Sequence, residues 1–276
     1  MKIVNVLRIF FCYAVQLKFR ALAWSPAIHR KSFSFPSSPL HAVSSDTSIE
    51  TFDGTKGIGS SIINEAAEFM MKSFWGVTDN NPDLLSEQVS DLENRHGEIL
   101  GKRKLFSNLI MAKSENEIMG MVGVEVALLD LRNNNIMNYK QSDKTLTDAV
   151  ASLGPKQRRQ YKDATIEELV KDVPSLAGNF KAVAVLANLC VSPSSRGMGL
   201  GDKLCSVVED VVSNDWGMGK LMLKVEGENV PAKKLYEKLG FVVECTDNDA
   251  SAIRPNLENN SFHEVPCEML TLSKSL

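Results

Sequence analysis

No aspartate or glutamate occurs before Asp46, although the 276-residue chain carries 34 of them. The same stretch holds Lys2, Arg8, Lys18, Arg20, Arg30 and Lys31, and serine is frequent from Ser25 onward. Paired cysteine spacing is also missing. The five cysteines (Cys12, Cys190, Cys205, Cys245, Cys267) are scattered, which excludes a disulfide framework or a zinc ribbon and points to a reduced compartment. Cys190 and Cys205 fall in apolar runs and read as small hydrophobes. The apolar run Ile9 to Leu17 has the length of a signal h-region and is too short to span a membrane. A formal net charge of -3 excludes bulk electrostatic binding to nucleic acid.

What is present centres on Leu189-Cys-Val-Ser-Pro-Ser-Ser-Arg196-Gly-Met-Gly199-Leu-Gly201-Asp202-Lys-Leu204. The preceding run, Ala182 to Val191, reads as a buried strand. After it, Leu200, Leu204, Val207, Val208 and Val211 form one apolar stripe of a helix. Strand, glycine-rich turn and helix N-terminus together present backbone N–H groups and a favourable dipole to an anion, and Arg196 can fork onto phosphate oxygens. A dinucleotide fingerprint fails because position 202 is Asp where a third glycine is needed, and a P-loop fails for want of Gly-Lys-Ser/Thr.

The run does match R-x-x-G-x-G at Arg196, Gly199 and Gly201, with a Leu-x-Val-x-Pro lead-in at Leu189, Val191 and Pro193. In both it resembles the pyrophosphate loop of the Gcn5-related N-acetyltransferases, the GNAT family. A second block, Asn229-Val-Pro-Ala232-Lys-Lys-Leu235-Tyr236-Glu-Lys238-Leu-Gly240-Phe241, resembles that family's N-x-x-A-x-x-L-Y-x-K-x-G-F signature. One helix and one strand fit between the blocks, as the family requires.

The resemblance implies an α/β fold, the GNAT (acyl-CoA N-acyltransferase) fold: a mixed twisted sheet with helices on both faces and a splay between its two central parallel strands. It implies acetyl-CoA as co-substrate, no metal, and direct transfer of acetyl to an amine. The backbone of Leu189, Cys190 and Val191 would bond the pantetheine arm. Arg196, Gly197, Met198, Gly199, Leu200, Gly201 and Asp202 would hold the pyrophosphate, and Asn229 and Ala232 would meet the cofactor from the other side. Asn229 also suits a helix N-cap. Tyr236 is the expected general acid, because a phenol of pKa about 10 can protonate a departing thiolate of pKa about 8.5.

The base departs from the pattern. Relatives acting on ribosomal proteins and protein N-termini carry Glu or His five residues before the motif asparagine, and here that position is Lys224. Glu226, on the same strand face, is the expected substitute. A weak base favours α-amines over lysines. Together with Asp215-Trp-Gly and Ala232 to Tyr236, which resemble the plant plastid members, it gives protein N-termini first and lysine side chains second. A small amine metabolite, or a non-catalytic acetyl-CoA-binding module, are the rival readings.

Residues 1–45, basic, serine-rich and acid-poor, read as an organellar presequence. Ala21-Leu-Ala23 followed by Trp24 resembles the bipartite presequence of algae with secondary plastids, with a mitochondrial address as the alternative. Residues 46–57 read as a linker and about 58–273 as one domain. Helices are expected over Ile62 to Ser73 and from Asn81-Pro82, the second burying Leu85, Val89, Leu92 and Ile99. Phe74 and Trp75 read as core residues or lining of the acceptor site. Leu105 to Ala112 and Met119 to Ala127 read as a hairpin, with Glu125 a solvated edge residue or, as the alternative, one facing the acceptor amine. An insertion over 131–180 lies outside the resemblance, with a short helix at 164–170. Its Lys156 to Lys162 cluster reads as solvated surface, with a ribosome or RNA contact as the alternative. Val242 to Cys245 and His263 to Ser273 are expected strands, with Thr246 to Asn260 a loop.

Overall fold

The structure, a computed structural model, describes residues 47–77, 81–97, 105–115 and 117–276. The presequence expected over 1–45, and Ile99, lie outside them. The described strands form one sheet: β1 (Ser48–Asp53), β2 (Ser107–Ser114), β3 (Glu117–Asp130), β4 (Asn135–Ile136), β5 (Phe180–Val191), β6 (Lys220–Glu226), β7 (Val242–Asn256) and β8 (Ser261–Ser275). The order across it is β1-β2-β3-β5-β6-β8-β7, and β4 pairs with β3 beyond the end of β2. Only β5 and β6 are parallel to each other among these pairs.

Alternation along the strands sends side chains to two separate layers. One face carries Ile110, Val122, Val124, Leu186, Leu221, Leu223 and Val225, packed against α6 (Leu200–Asp210) and α7 (Val230–Lys238). The other carries Leu109, Met111 and Met121, covered by α1 (Ser60–Trp75), with α2 (Pro82–His96) beside it. α1 ends as its sequence indicates, at Gly76 with φ 65°, whose N–H bonds the carbonyls of Lys72 and Met71.

Two expectations are corrected. The segment expected as a linker over 46–57 contains a strand, β1. Ser48 to Asp53 pair antiparallel with β2, from Ser48↔Lys113 to Asp53↔Asn108. Thr246 to Asn260 is not a loop, because β7 continues to Asn256 against β8 through two register shifts. Both segments are edge strands, so polar side chains meet water there and the hydrophobic pattern fades. Pro255 is tolerated for the same reason, since an edge residue can lack an N–H.

The insertion is more ordered than its sequence suggested. Besides α5 (Ile166–Asp172), which covers the expected short helix, it contains α3 (Tyr139–Ala151) and α4 (Pro155–Gln160). α3 starts at a capping box, Asn138 with Gln141, and buries Tyr139, Ser142, Leu146 and Ala149. With α5 it packs on Val126, Leu128 and Ala182, extending the α6 face. α4, with Lys156, Arg158 and Arg159, is exposed throughout.

Candidate active site

Parallel pairing of β5 and β6 stops after three residues: Ala184↔Leu221, Val185↔Met222 and Leu186↔Leu223. The cause lies in β5 itself. On the β3 side Met121 pairs with Cys190 and Gly123 with Ala187, so β5 has one residue more than its partner over that interval. The extra residue is absorbed at Asn188, which takes φ 57°, a left-handed conformation that asparagine tolerates. This bulge turns Leu189, Cys190 and Val191 away from β6 and leaves a gap between strands. An amide-bearing arm can enter it and pair with backbone.

The gap leads to the turn at 196–199. Gly197 and Gly199 have φ 78° and 79°, and a Cβ at either would meet nothing within 4 Å. They are glycines for conformation, and their open side faces outward. Gly201 differs: a Cβ there would lie 3.1 Å from the Leu235 side chain, so it is small to let α6 approach α7. Lys203 donates the first bond of α6, to the Gly199 carbonyl at 3.2 Å. The N–H groups of Leu200, Gly201 and Asp202 precede that bond, as orphan donors at a helix start. These residues, with the gap, fit a pyrophosphate and its pantetheine arm.

Arg196 is placed differently from expectation. Its Nε donates to the Val191 carbonyl at 3.2 Å and its Nη2 to the Ser73 carbonyl at 3.0 Å. The guanidinium therefore ties the turn to the end of β5 and to α1, leaving backbone amides as the main anion donors. Asp202 accepts from Lys238 Nζ at 2.5 Å, so its side chain belongs to the α6–α7 contact while its N–H stays at the helix start.

On the far side of the gap, Asn229 caps α7 by accepting from the Ala232 N–H at 3.1 Å. That is the capping role the sequence allowed. Ala232 sits half-buried against the α6-side core. Tyr236 is fully buried there, its ring edge-on to Phe241 at 5.6 Å.

Lys224 and Glu226 point to the opposite face, the one lined by α1 and α2. Both are buried. Glu226 Oε2 accepts from Arg254 Nη2 at 2.6 Å, and its Oε1 is buried with no hydrogen-bond partner. Lys224 Nζ donates to Asn135 Oδ1 at 2.8 Å and to the Ile136 carbonyl at 3.4 Å. Burial pushes its pKa below the usual lysine value, partly offset by Asp247 and Cys245. Burial, with the charge of Glu226 next, pushes the nearby Cys267 thiol up to about 11, so it is a neutral neighbour.

The same face holds a charge cluster that the sequence reading did not find. Glu125, expected to be solvated, is buried and accepts from Arg95 Nη1 at 2.6 Å, while Arg95 Nε donates to Asp91 at 2.8 Å. Burial raises the Glu125 pKa against the pull of Arg95. For Arg95 burial works the other way, yet the two carboxylates outweigh it and hold its pKa above the ordinary value. His96 is buried beside Gly123, with Nδ1 unpartnered, and burial aided by Arg95 pushes its pKa down to about 3. The available signal was the i, i+4 pair Asp91/Arg95 on α2. The stripe Leu84, Gln88, Asp91, Leu92, Arg95 is more deeply buried than Leu85 and Val89. Phe74 is core, and Trp75 packs on Phe262 of β8 at 5.2 Å. Asn260 also donates to Asp83 at 3.2 Å, so the tip of the β7–β8 hairpin arches over to α1 and α2.

The model of the acetyltransferase (GNAT) family matches residues 82–241 of the chain. A mycothiol acetyltransferase from Corynebacterium jeikeium (strain K411) is 35% identical over 83 residues, which is 30% of this chain and 22% of that protein. The chain thus matches about a fifth of that relative's length. The ribosomal-protein-S18-alanine N-acetyltransferase from Escherichia coli aligns over 83% of this chain and 93% of its own, at 12% identity and TM-score 0.43. NAA60 of Arabidopsis thaliana, solved with a bisubstrate analogue, aligns over 83% and 99%, at 12% identity and TM-score 0.44.

Proposed function

We propose, from the premise that this chain belongs to the acetyltransferase (GNAT) family, that it transfers acetyl from acetyl-CoA to protein amines, N-terminal α-amines first and lysine side chains second. Acetyl-CoA supplies the activated acyl group and a thiol leaving group. The turn at Gly197 and Gly199 and the first amides of α6 hold its diphosphate. The stretch of β5 from Leu189 to Val191, beyond its pairing with β6, aligns the arm, and Asn229 fixes the start of α7. Tyr236, on α7, then delivers a proton to the departing sulfur.

The observation that carries the acceptor choice is the ion pair between Glu226 and Arg254, which spends one oxygen of the base on a neighbouring cation. The remaining oxygen, Oε1, is buried with no hydrogen-bond partner, and in this reading it takes the amine proton. An α-amine has a pKa of about 7.7–8.0 and is largely neutral near pH 8, whereas a lysine of pKa about 10.4 is neutral less than ~1% of the time. Capturing that rare form costs about 3 kcal/mol. A site whose base is already paired favours the α-amine. Peptides that offer both amines, analysed by mass spectrometry after reaction, are expected to carry acetyl at the N-terminus. Dominant ε-acetylation overturns the ordering.

The arching of the β7–β8 hairpin onto α1 and α2, through Phe262–Trp75 and Asn260–Asp83, favours a second reading: a small free amine as acceptor. Efficient turnover of short amines with none of peptides selects it. The composition of residues 1–45 supports a plastid address, with a mitochondrial one as the alternative. Fused to a fluorescent reporter, they are expected to direct it to the plastid, and a diffuse cytosolic signal overturns that address.

A further inference from the structure

We propose that Lys224 is a self-acetylation site: in the absence of an acceptor, its side-chain nitrogen takes the acetyl group from acetyl-CoA bound to the same chain. The inference rests on the transferase reading and extends it to an acceptor inside the protein.

Position is the first argument. Lys224 directly follows Leu223, the last β6 residue paired with β5, so it is the first residue at the opening of the gap. It lies on the acceptor face with Glu226, and Ala187, which follows Leu186 on β5, carries only a methyl group. Four methylenes on a strand position let Nζ sweep from the insertion back to the gap by rotation about its own side-chain bonds.

Chemistry is the second. Lys224 is 8% exposed, so other proteins and bulk reagents reach it poorly, and what meets it is what enters the gap. Burial favours the neutral amine, the only form with a lone pair to attack. Asn135 Oδ1 and the Ile136 carbonyl accept from Nζ, and both are neutral acceptors with no formal charge to hold the ammonium form. The groups facing it include Asp247 and Cys245 of β7, whose influence opposes neutralisation without cancelling it.

The step balances as an ordinary aminolysis. The nitrogen lone pair attacks the thioester carbonyl carbon and a C–N bond forms. The C–S bond breaks, and its electron pair leaves with sulfur. One proton from the nitrogen ends on the thiolate, through Tyr236 or water, giving coenzyme A thiol and Nε-acetyl-Lys224. The acetamide keeps one N–H, so one of the two bonds to β4 is lost and the insertion's hold on the acceptor face loosens.

The test incubates the purified full chain with acetyl-CoA alone and follows acetylation by intact mass and peptide mapping. Expected is one acetyl at Lys224, with a rate that saturates in acetyl-CoA and does not change with protein concentration. Burial lowers the Lys224 pKa and so raises its neutral fraction, and Lys224 should outpace the exposed Lys56. Tyr236→Phe should slow Lys224 and leave Lys56 unchanged. Lys224 staying bare while Lys56 is modified, or a rate that rises with protein concentration, overturns the proposal. A parallel reaction with acceptor peptide separates the two readings. Peptide acetylated with Lys224 bare in the acceptor-free reaction overturns self-acetylation alone, and no acetylation anywhere overturns the transferase reading as well.

Discussion

The two faces of the sheet are built by different physics. Around α6 and α7 the interior is apolar, and the functional groups are backbone amides at Leu200 to Asp202, a turn with two positive-φ glycines, and one tyrosine. On the opposite face the interior holds ionisable side chains: Arg95 between Asp91 and Glu125, Glu226 with Arg254, and Lys224 against β4. One face is shaped by backbone conformation and needs few side-chain identities. The other is organised by pairwise charge and is sensitive to the loss of any member. A co-substrate shared by a family suits the first, and an acceptor particular to one protein suits the second.

The contrast breaks most sharply at Tyr236. Tyr236→Phe should keep coenzyme A binding by calorimetry and lose about 10²–10⁴-fold in turnover, the usual range for a general acid. Lost binding would make the tyrosine a packing residue of the apolar face. On the charged face, Arg95→Met leaves two buried carboxylates without their cation and should destabilise the protein by about 3–5 kcal/mol in chemical denaturation. A loss below about 1 kcal/mol would show the cluster to be solvated.

Gly199→Val tests the conformational face. Nothing crowds its Cβ, so the cost is confined to the left-handed backbone, about 1–2 kcal/mol, and coenzyme A affinity should fall about tenfold. Unchanged affinity would remove the turn from the anion site. The smallest effect is a pH slope. The His96 pKa, about 3 in the folded protein, lies below the ordinary 6.5, so the unfolded chain binds the proton first on acidification. The stability that neutral His96 contributes is complete above about pH 6.5 and is lost down to about pH 3, at up to about 1.4 kcal/mol per pH unit. Denaturation midpoints between about pH 6 and about pH 4 should fall less steeply in His96→Asn, and equal slopes would refute the assignment.

How far the sequence could be read follows the same division. The turn from Arg196 to Asp202 and the block from Asn229 to Phe241 were legible because both act through contiguous residues. Spacing alone then fixes strand, turn and helix start. The apolar stripe of α6 was legible too, with Leu200, Leu204 and Val208 buried as expected. Glu125 was misjudged because its burial depends on α2, whose Arg95 is thirty positions away. β1 and the distal half of β7 were missed because an edge strand needs only one partner and can be polar outside. α3 was missed although Asn138, Gln141 and its buried stripe gave a capped amphipathic pattern. Chain order does not show that the carbonyl of Ser73, in the last turn of α1, lies within reach of the Arg196 guanidinium.

Chain order alone sets the elements whose partners are near neighbours: the glycine turn before α6, the asparagine cap of α7, and the alternation that sorts core residues to two faces. Hydrogen-bond periodicity and helix capping are short-range, so a few residues suffice to specify them. Only the tertiary structure decided where β5 and β6 part, that Lys224 is clasped by the insertion, and which cation holds Glu226. Those outcomes depend on burial and on charges brought together from distant segments, and electrostatic energies there follow distance in space rather than distance along the chain.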